Sequence, residues 1–382
     1  MQITKLPVNA RATRLNETFE AIANRTLRAR DALRARVGLR GRAAPYDDLR
    51  YEFLGGPADE MRRKHYDKSL RLLWKAEKAA PWSTFHDMTD AERAMLEEVE
   101  QELDDPRKTA RAKITSAEFR AMLDREYTPE QKKAIVAILA AIGHGEAYAW
   151  LVSASLLGEV RGTGARAALT MQVLEEAKHF VVMRELIAAF GVEMPRQSAW
   201  EYLLLESVLK AEGLDKFFGM NVLVETIALS IFGVLASLPG LDVLRLFHLD
   251  ESRHTALPTN YFREFPMSAR DMRSVRGKVR RVAMALPTLP LVMLLEPHFA
   301  VLGIDAFDFA GSVMRKIANL SVKSGFLDEG ASVKQADFYN DVFNAYCRAT
   351  RKNHADKDFM SADTSKGAEV QAVEREIFAT TH

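Results

Sequence analysis

The sequence predicts an all-α protein with a four-helix bundle at its centre and further helices on either side, and three observations predict it. The spacing Glu-x-x-His occurs twice, each time behind a second acid, as Glu175-Glu176-Ala177-Lys178-His179 and Asp250-Glu251-Ser252-Arg253-His254. Each copy follows a long apolar stretch holding a single charge: Glu146 between Ala134 and Gly158, and Glu225 between Phe217 and Leu238. Turn signals lie midway within each pair, Arg161-Gly162-Thr163-Gly164 between Glu146 and Glu176, and Leu238-Pro239-Gly240 between Glu225 and Glu251. Each lone Glu and its Glu-x-x-His therefore stand at matching heights on the arms of a helical hairpin, about 20 Å from the turn.

Taken in order, residues 1–127 read as an N-terminal helical extension, with a basic surface helix around Asn16 to Val37. Turn signals stand at Gly55-Gly56-Pro57 and Asp104-Asp105-Pro106, and Ala80 to Phe85 is apolar enough to pack on the core. His65 and His86 read as surface or packing residues. The core, 128–258, opens with Thr128 as cap, Pro129 at the first helical position and Gln131 completing a capping box. The first core helix runs to about Val160 and the second from about Ala165 to Phe190, before Gly191. Residues 191–216 cross to the second hairpin, with Gly213 as a break. The third helix covers about Leu214 to Leu238, and the fourth about Leu241 to Leu257, ended by Pro258.

Residues 259–382 read as C-terminal helices and a loosely held tail packed on the core. Ser268 to Leu286 carries a basic face of Arg270, Arg273, Arg276, Lys278, Arg280 and Arg281, read as a solvated face or a dock for a redox partner or acidic carrier protein. Pro287 to Leu295 is apolar but broken by Pro287 and Pro290, hence too short to span a membrane.

Composition narrows the class. Lys and Arg number 53 against 52 Asp and Glu, a formal charge of +1, which gives no global attraction to nucleic acid. Cys347 is the one cysteine, so an internal disulfide or a cysteine metal knot is excluded, in keeping with a reducing cytoplasm. The basic N-terminal stretch lacks the apolar region of a signal peptide. The apolar stretches around Glu146 and Glu225 are long enough for a bilayer. Each nevertheless has a Glu at its middle, and Gly143 and Gly145 interrupt the first, so the expectation is a bundle core with no transmembrane span.

The chemistry rests on donor type and spacing. Residues i and i+3 share a helix face, so each Glu and His can aim at one point. A buried unpaired carboxylate is costly, and four of them converging repel unless cations sit between them. Carboxylate with imidazole suits iron or manganese better than the thiolates of structural zinc. The candidate metal ligands are Glu146, Glu176, His179, Glu225, Glu251 and His254, around two Fe ions or an Fe/Mn pair. His248 lies three residues before Glu251 and is a candidate further ligand. Helical spacing places Ile142, Gly143, Ala149, Trp150, Phe180, Asn221, Val222 and Leu229 near the metals, a mostly apolar lining.

These residues resemble the six-ligand set of the ferritin-like di-iron carboxylate proteins. That group includes bacterial multicomponent monooxygenases, soluble acyl-carrier desaturases, the ribonucleotide reductase small subunit and p-aminobenzoate N-oxygenase-like enzymes. Asp250-Glu251-Ser252-Arg253-His254 looks like the Asp-Glu-x-Arg-His motif of the monooxygenases, and Glu175-Glu176-Ala177-Lys178-His179 is a looser copy. The resemblance covers residues 128–258. It implies a ferritin-like bundle in which Glu176 and Glu251 bridge the metals, Asp250 holds His179, Glu175 holds His254, and Arg253 neutralises one of those acids. The N-oxygenase-like enzymes place a third histidine four residues before the Glu, whereas His248 stands three before it. Met183 occupies the position of the reductase's radical tyrosine, which argues against that role.

The implied activity is that of an O2-dependent non-haem di-iron oxidoreductase that hydroxylates, desaturates or N-oxygenates an apolar or aromatic substrate. The implied partners are O2, a small organic or carrier-bound substrate, an electron-donor protein or reductant, and a second copy of the chain as a homodimer. The alternative is a ferroxidase or iron-handling protein, which the long segments outside the core disfavour as a cage.

Overall fold

The structure, a computed structural model, describes residues 3–38, 45, 46, 90, 94, 110–365 and 367–379. The expectations for 55–57, 80–85, 104–106, His65 and His86 lie outside the described residues. Among the described residues the regular elements are all helical.

Helix α1 (Ala10–Arg36) starts where the Asn9 side chain accepts from the N–H groups of Arg11 and Ala12. The short α2 (Ala110–Thr115) and α3 (Ala117–Glu126) lead into α4 (Pro129–Leu156), which opens with the reciprocal Thr128–Gln131 capping box. Gly162, at φ 79°, turns the chain into α5 (Thr163–Ala189). The crossing to the second hairpin contains a helix the pattern reading left out, α6 (Ala199–Lys210), and its signal is a second capping box, Ser198 with Glu201. Helix α7 (Gly213–Leu235) carries a π-helical stretch at Phe218–Val224, just before Glu225, and α8 (Leu244–Glu264) completes the bundle. Helix α4 packs along α5 and α7 along α8; α5 also meets α8, and α4 meets the π-helical stretch.

Pro258 does not end α8, which runs on to Glu264. A helical proline deprives the carbonyl four residues back of its donor. That carbonyl belongs to His254, and Asn221 Nδ2 from the π-helical stretch donates to it at 3.0 Å. The break that sequence alone predicts is filled by a neighbouring helix.

Beyond the bundle come α9 (Ala269–Met272), α10 (Val275–Ala285), α11 (Thr288–Val301), α12 (Ala306–Lys323), α13 (Glu329–Thr350) and α14 (Ala368–Ala379). The basic segment does not form one face. Arg281 is buried and bonds Asp215 at 3.0 Å, Arg280 meets the same carboxylate at 2.7 Å, and Arg273 faces Asp328 at 3.7 Å. The tail is not loose either: α14 packs on α8, Val370 and Val373 are buried, and Glu374 pairs with buried Lys316 at 2.5 Å.

The expectation of no transmembrane span is corrected. Pro129–Leu156, Gly213–Leu235 and Ala269–Val301 are each long and apolar enough to cross a membrane. Pro287 caps α11 and Pro290 lies in its first turn, where a missing N–H leaves no bond unmade, so the prolines separate α10 from α11 without breaking α11 itself. The protein's own helices bury 78% and 94% of the apolar windows of the first two, but only 33% of the third.

Candidate metal centre

Glu146 stands on α4, Glu176 and His179 on α5, Glu225 at the end of the π-helical stretch, and Glu251 and His254 on α8. None is more than 3% exposed. They fall into two overlapping groups, Glu146, Glu176, His179 and Glu251, and Glu176, Glu225, Glu251 and His254. Within each group one donor atom per residue lies within 4.8 Å of every other. Glu176 and Glu251 belong to both groups, the arrangement that two adjacent ions sharing bridging carboxylates require. His179 Nδ1 is 3.1 Å from Glu251, 3.5 Å from Glu146 and 3.7 Å from Glu176. His254 Nδ1 mirrors it, 3.0 Å from Glu251, 3.1 Å from Glu176 and 3.5 Å from Glu225.

The opposite ring nitrogens face carboxylates on the opposite hairpin. His179 Nε2 meets Asp250 at 3.1 Å and His254 Nε2 meets Glu175 at 2.9 Å. Arg253 joins the two acids, donating to Glu175 at 2.8 Å and also to Asp250, and Lys178 reaches Asp250 at 3.3 Å. A proton on each Nε2 leaves each Nδ1 lone pair free for a metal, which is how partners of this kind orient ligating imidazoles.

The residues fit a metal pair on an observation independent of spacing. Glu146 Oε2, both Glu176 carboxylate oxygens, Glu251 Oε1 and His179 Nδ1 are buried with no hydrogen-bond partner. Buried polar atoms are nearly always satisfied, so a cluster of orphans aimed at one place marks room for cations. The donors are oxygen and imidazole nitrogen, the set that iron and manganese take.

The electrostatics agree. Burial pushes the Glu146 and Glu225 carboxyls well above their ordinary range. Burial alone would lower His179, but its contacts with Asp250, Glu146, Glu176 and Glu251 raise it well up. His254 rises likewise against burial, chiefly through Glu251 and Glu176. Glu176 goes down, because His254 and His179 outweigh its burial, and Asp250 goes down against burial through His179 and Lys178. Proton uptake by Glu146, Glu225, His179 and His254 is thus favoured where cations would sit, and a bound metal would have to displace those protons.

His248, the candidate further ligand, belongs to neither group. Its Nδ1 faces the Leu229 carbonyl at 2.9 Å, and burial lowers its basicity. Gln172, absent from the sequence reading, donates from Nε2 to Glu225 Oε1 at 2.8 Å and accepts from Asn221 at 3.0 Å. It lies four residues before Glu176, a spacing that puts a polar residue on the ligand face and that could have found it.

An apolar cavity of about 100 Å³ borders Glu146 and Glu225. Its walls include Ile142, Leu204, Ile231, Leu289, Val292 and Phe309, so α6, α11 and α12 supply much of a lining sought within the bundle alone. Of the expected neighbours, Ile142 and Ala149 line it. Trp150 is 37% exposed instead and pairs with Phe180 at 6.0 Å.

Fold and site define, among the described residues, an all-helical protein with a buried carboxylate and histidine cluster able to hold metal. No family model matches the chain, and no curated protein or solved structure matches it.

Proposed function

We propose that the protein is an O2-dependent di-iron oxidoreductase of the ferritin-like kind, which hydroxylates, desaturates or N-oxygenates an apolar or aromatic guest. One observation carries the reading: two four-residue donor groups share Glu176 and Glu251, and the apolar cavity ends on Glu146 and Glu225. Glu146, Glu176, His179, Glu225, Glu251 and His254 would hold a pair of irons, which would supply O2 activation. The chain supplies the rest. Asp250 and Glu175 fix the tautomers of His179 and His254, and Arg253 locks both acids. The Gln172 amide holds Glu225, while Glu146 Oε2 has no hydrogen-bond partner. The cavity walls exclude water and receive the guest.

Stopped-flow mixing of the reduced, iron-loaded protein with O2 tests this. A transient absorption is expected, decaying faster when an apolar guest fills the cavity. Oxidation of many Fe²⁺ equivalents to a ferric mineral, with no such transient, would replace this reading with iron handling.

A further inference from the structure

Helix α10 wears its polarity inside out. Its inward side carries Arg281, which bonds Asp215 and the Met272 carbonyl and lies over the Phe326 ring at 4.8 Å. Its outward side carries Val275, Val279, Val282 and Leu286, which are 79%, 63%, 56% and 46% exposed. Positions i, i+4, i+7 and i+11 form one stripe, so these side chains make a continuous apolar ridge. Arg276 borders the ridge on one side and Lys278 on the other. Buried anchors on the far side mean that the ridge cannot turn inward.

We propose that this ridge seats the protein on an anionic lipid membrane. An apolar stripe flanked by basic residues is the pattern of a helix lying in the lipid interface, valines among the acyl chains and cations at the phosphates. The choice of occupant follows from charge. Ser268 to Leu286 holds Asp271 as its one acid, and exposed Arg276 flanks the ridge on one side while Lys278, on the other, lies in the field of Asp328 together with Arg273. A second copy of the chain would set basic edge against basic edge. The segment also belongs to the membrane-length stretch that the protein covers least, with 33% of its apolar window buried. On the oxygenase reading, the seat has a consequence for the substrate. Leu286 at the end of the ridge is joined through Pro287 to Thr288 on the cavity wall, so the seat would bring the bilayer to the segment that lines the cavity.

The test is co-sedimentation of the full chain with vesicles of equal parts phosphatidylglycerol and phosphatidylcholine, and with phosphatidylcholine alone. It needs no metal, so it stands or falls apart from the oxygenase reading. Binding to the anionic vesicles, weakened by salt and released by alkaline carbonate, is expected. V279D/V282D and R276E should each lower the partition at least tenfold, through the loss of two apolar anchors in the first and the reversal of a flanking charge in the second. Val279, Val282 and Arg276 are all exposed, so melting temperatures should match wild type. The proposal is overturned if the wild type stays in solution, if both variants bind as it does, or if carbonate fails to release it, which would mean a span rather than a seat. It is overturned too if V279D/V282D turns a dimer into a monomer while vesicle binding is absent, which would give the ridge to a second copy.

Discussion

The two hairpins contribute matching ligand sets by different local means. In the first, α4 is α-helical throughout its length, and Glu146 keeps an oxygen with no partner. In the second, a π-helical stretch precedes Glu225, a proline interrupts the α8 ladder, and Asn221 and Gln172 tie the two irregularities together. Glu146 is placed by helix packing, whereas Glu225 is held by a polar chain as well. Matching ligands need not mean matching roles, and π-helical turns commonly mark such functional distortions.

The comparison breaks most severely at the shared residues. Glu176→Ala or Glu251→Ala should lose both ions, whereas Glu146→Ala and Glu225→Ala should each lose one, as metal analysis after desalting would show. Equal losses in all four variants would remove the distinction between bridging and terminal positions. Next come the residues behind the histidines: Asp250→Asn and Glu175→Gln should each weaken metal affinity by about tenfold or more at their own half-site, with the fold retained by circular dichroism. Gln172→Leu sharpens the contrast, because only the second half-site leans on that amide. A drop of several-fold there, with the first half-site unchanged, is expected in a competition titration.

A smaller effect is expected from pH. The raised Glu146 and Glu225 carboxyls and the raised His179 and His254 imidazoles bind protons more tightly in the folded chain than in the unfolded one. Their stabilisation is complete below the ordinary values, 4.5 and 6.5, and is lost as pH climbs through the raised ones. Lowered Glu176 and Asp250 act in the opposite sense, but below their ordinary values of 4.5 and 3.8. Chelator-treated protein should therefore melt at falling temperature between about pH 5 and pH 8, and Fe²⁺ should restore the loss at the alkaline end. A melting temperature that rises over that window would contradict these protonation states.

The helical class was legible because local signals and burial agree: the Thr128 capping box, Gly162 and the lone Glu residues in apolar runs each point the same way. The six clustered residues were legible because helical spacing is short-range geometry. What escaped depends on contacts distant in sequence. Asn221 rescues the carbonyl that Pro258 strands, so a reliable breaker fails there. Asp215 draws Arg280 and Arg281 out of the basic face. The cavity walls from α6, α11 and α12 could not be read from the bundle period, nor could the inward arginine and outward valines of α10.

The account rests on six buried residues forming one site for two ions. Anaerobic loading with Fe²⁺, desalting and iron determination address it most directly. About two irons per chain are expected, with a rise in melting temperature at neutral pH. Fewer than one iron per chain, with melting unchanged, would contradict it.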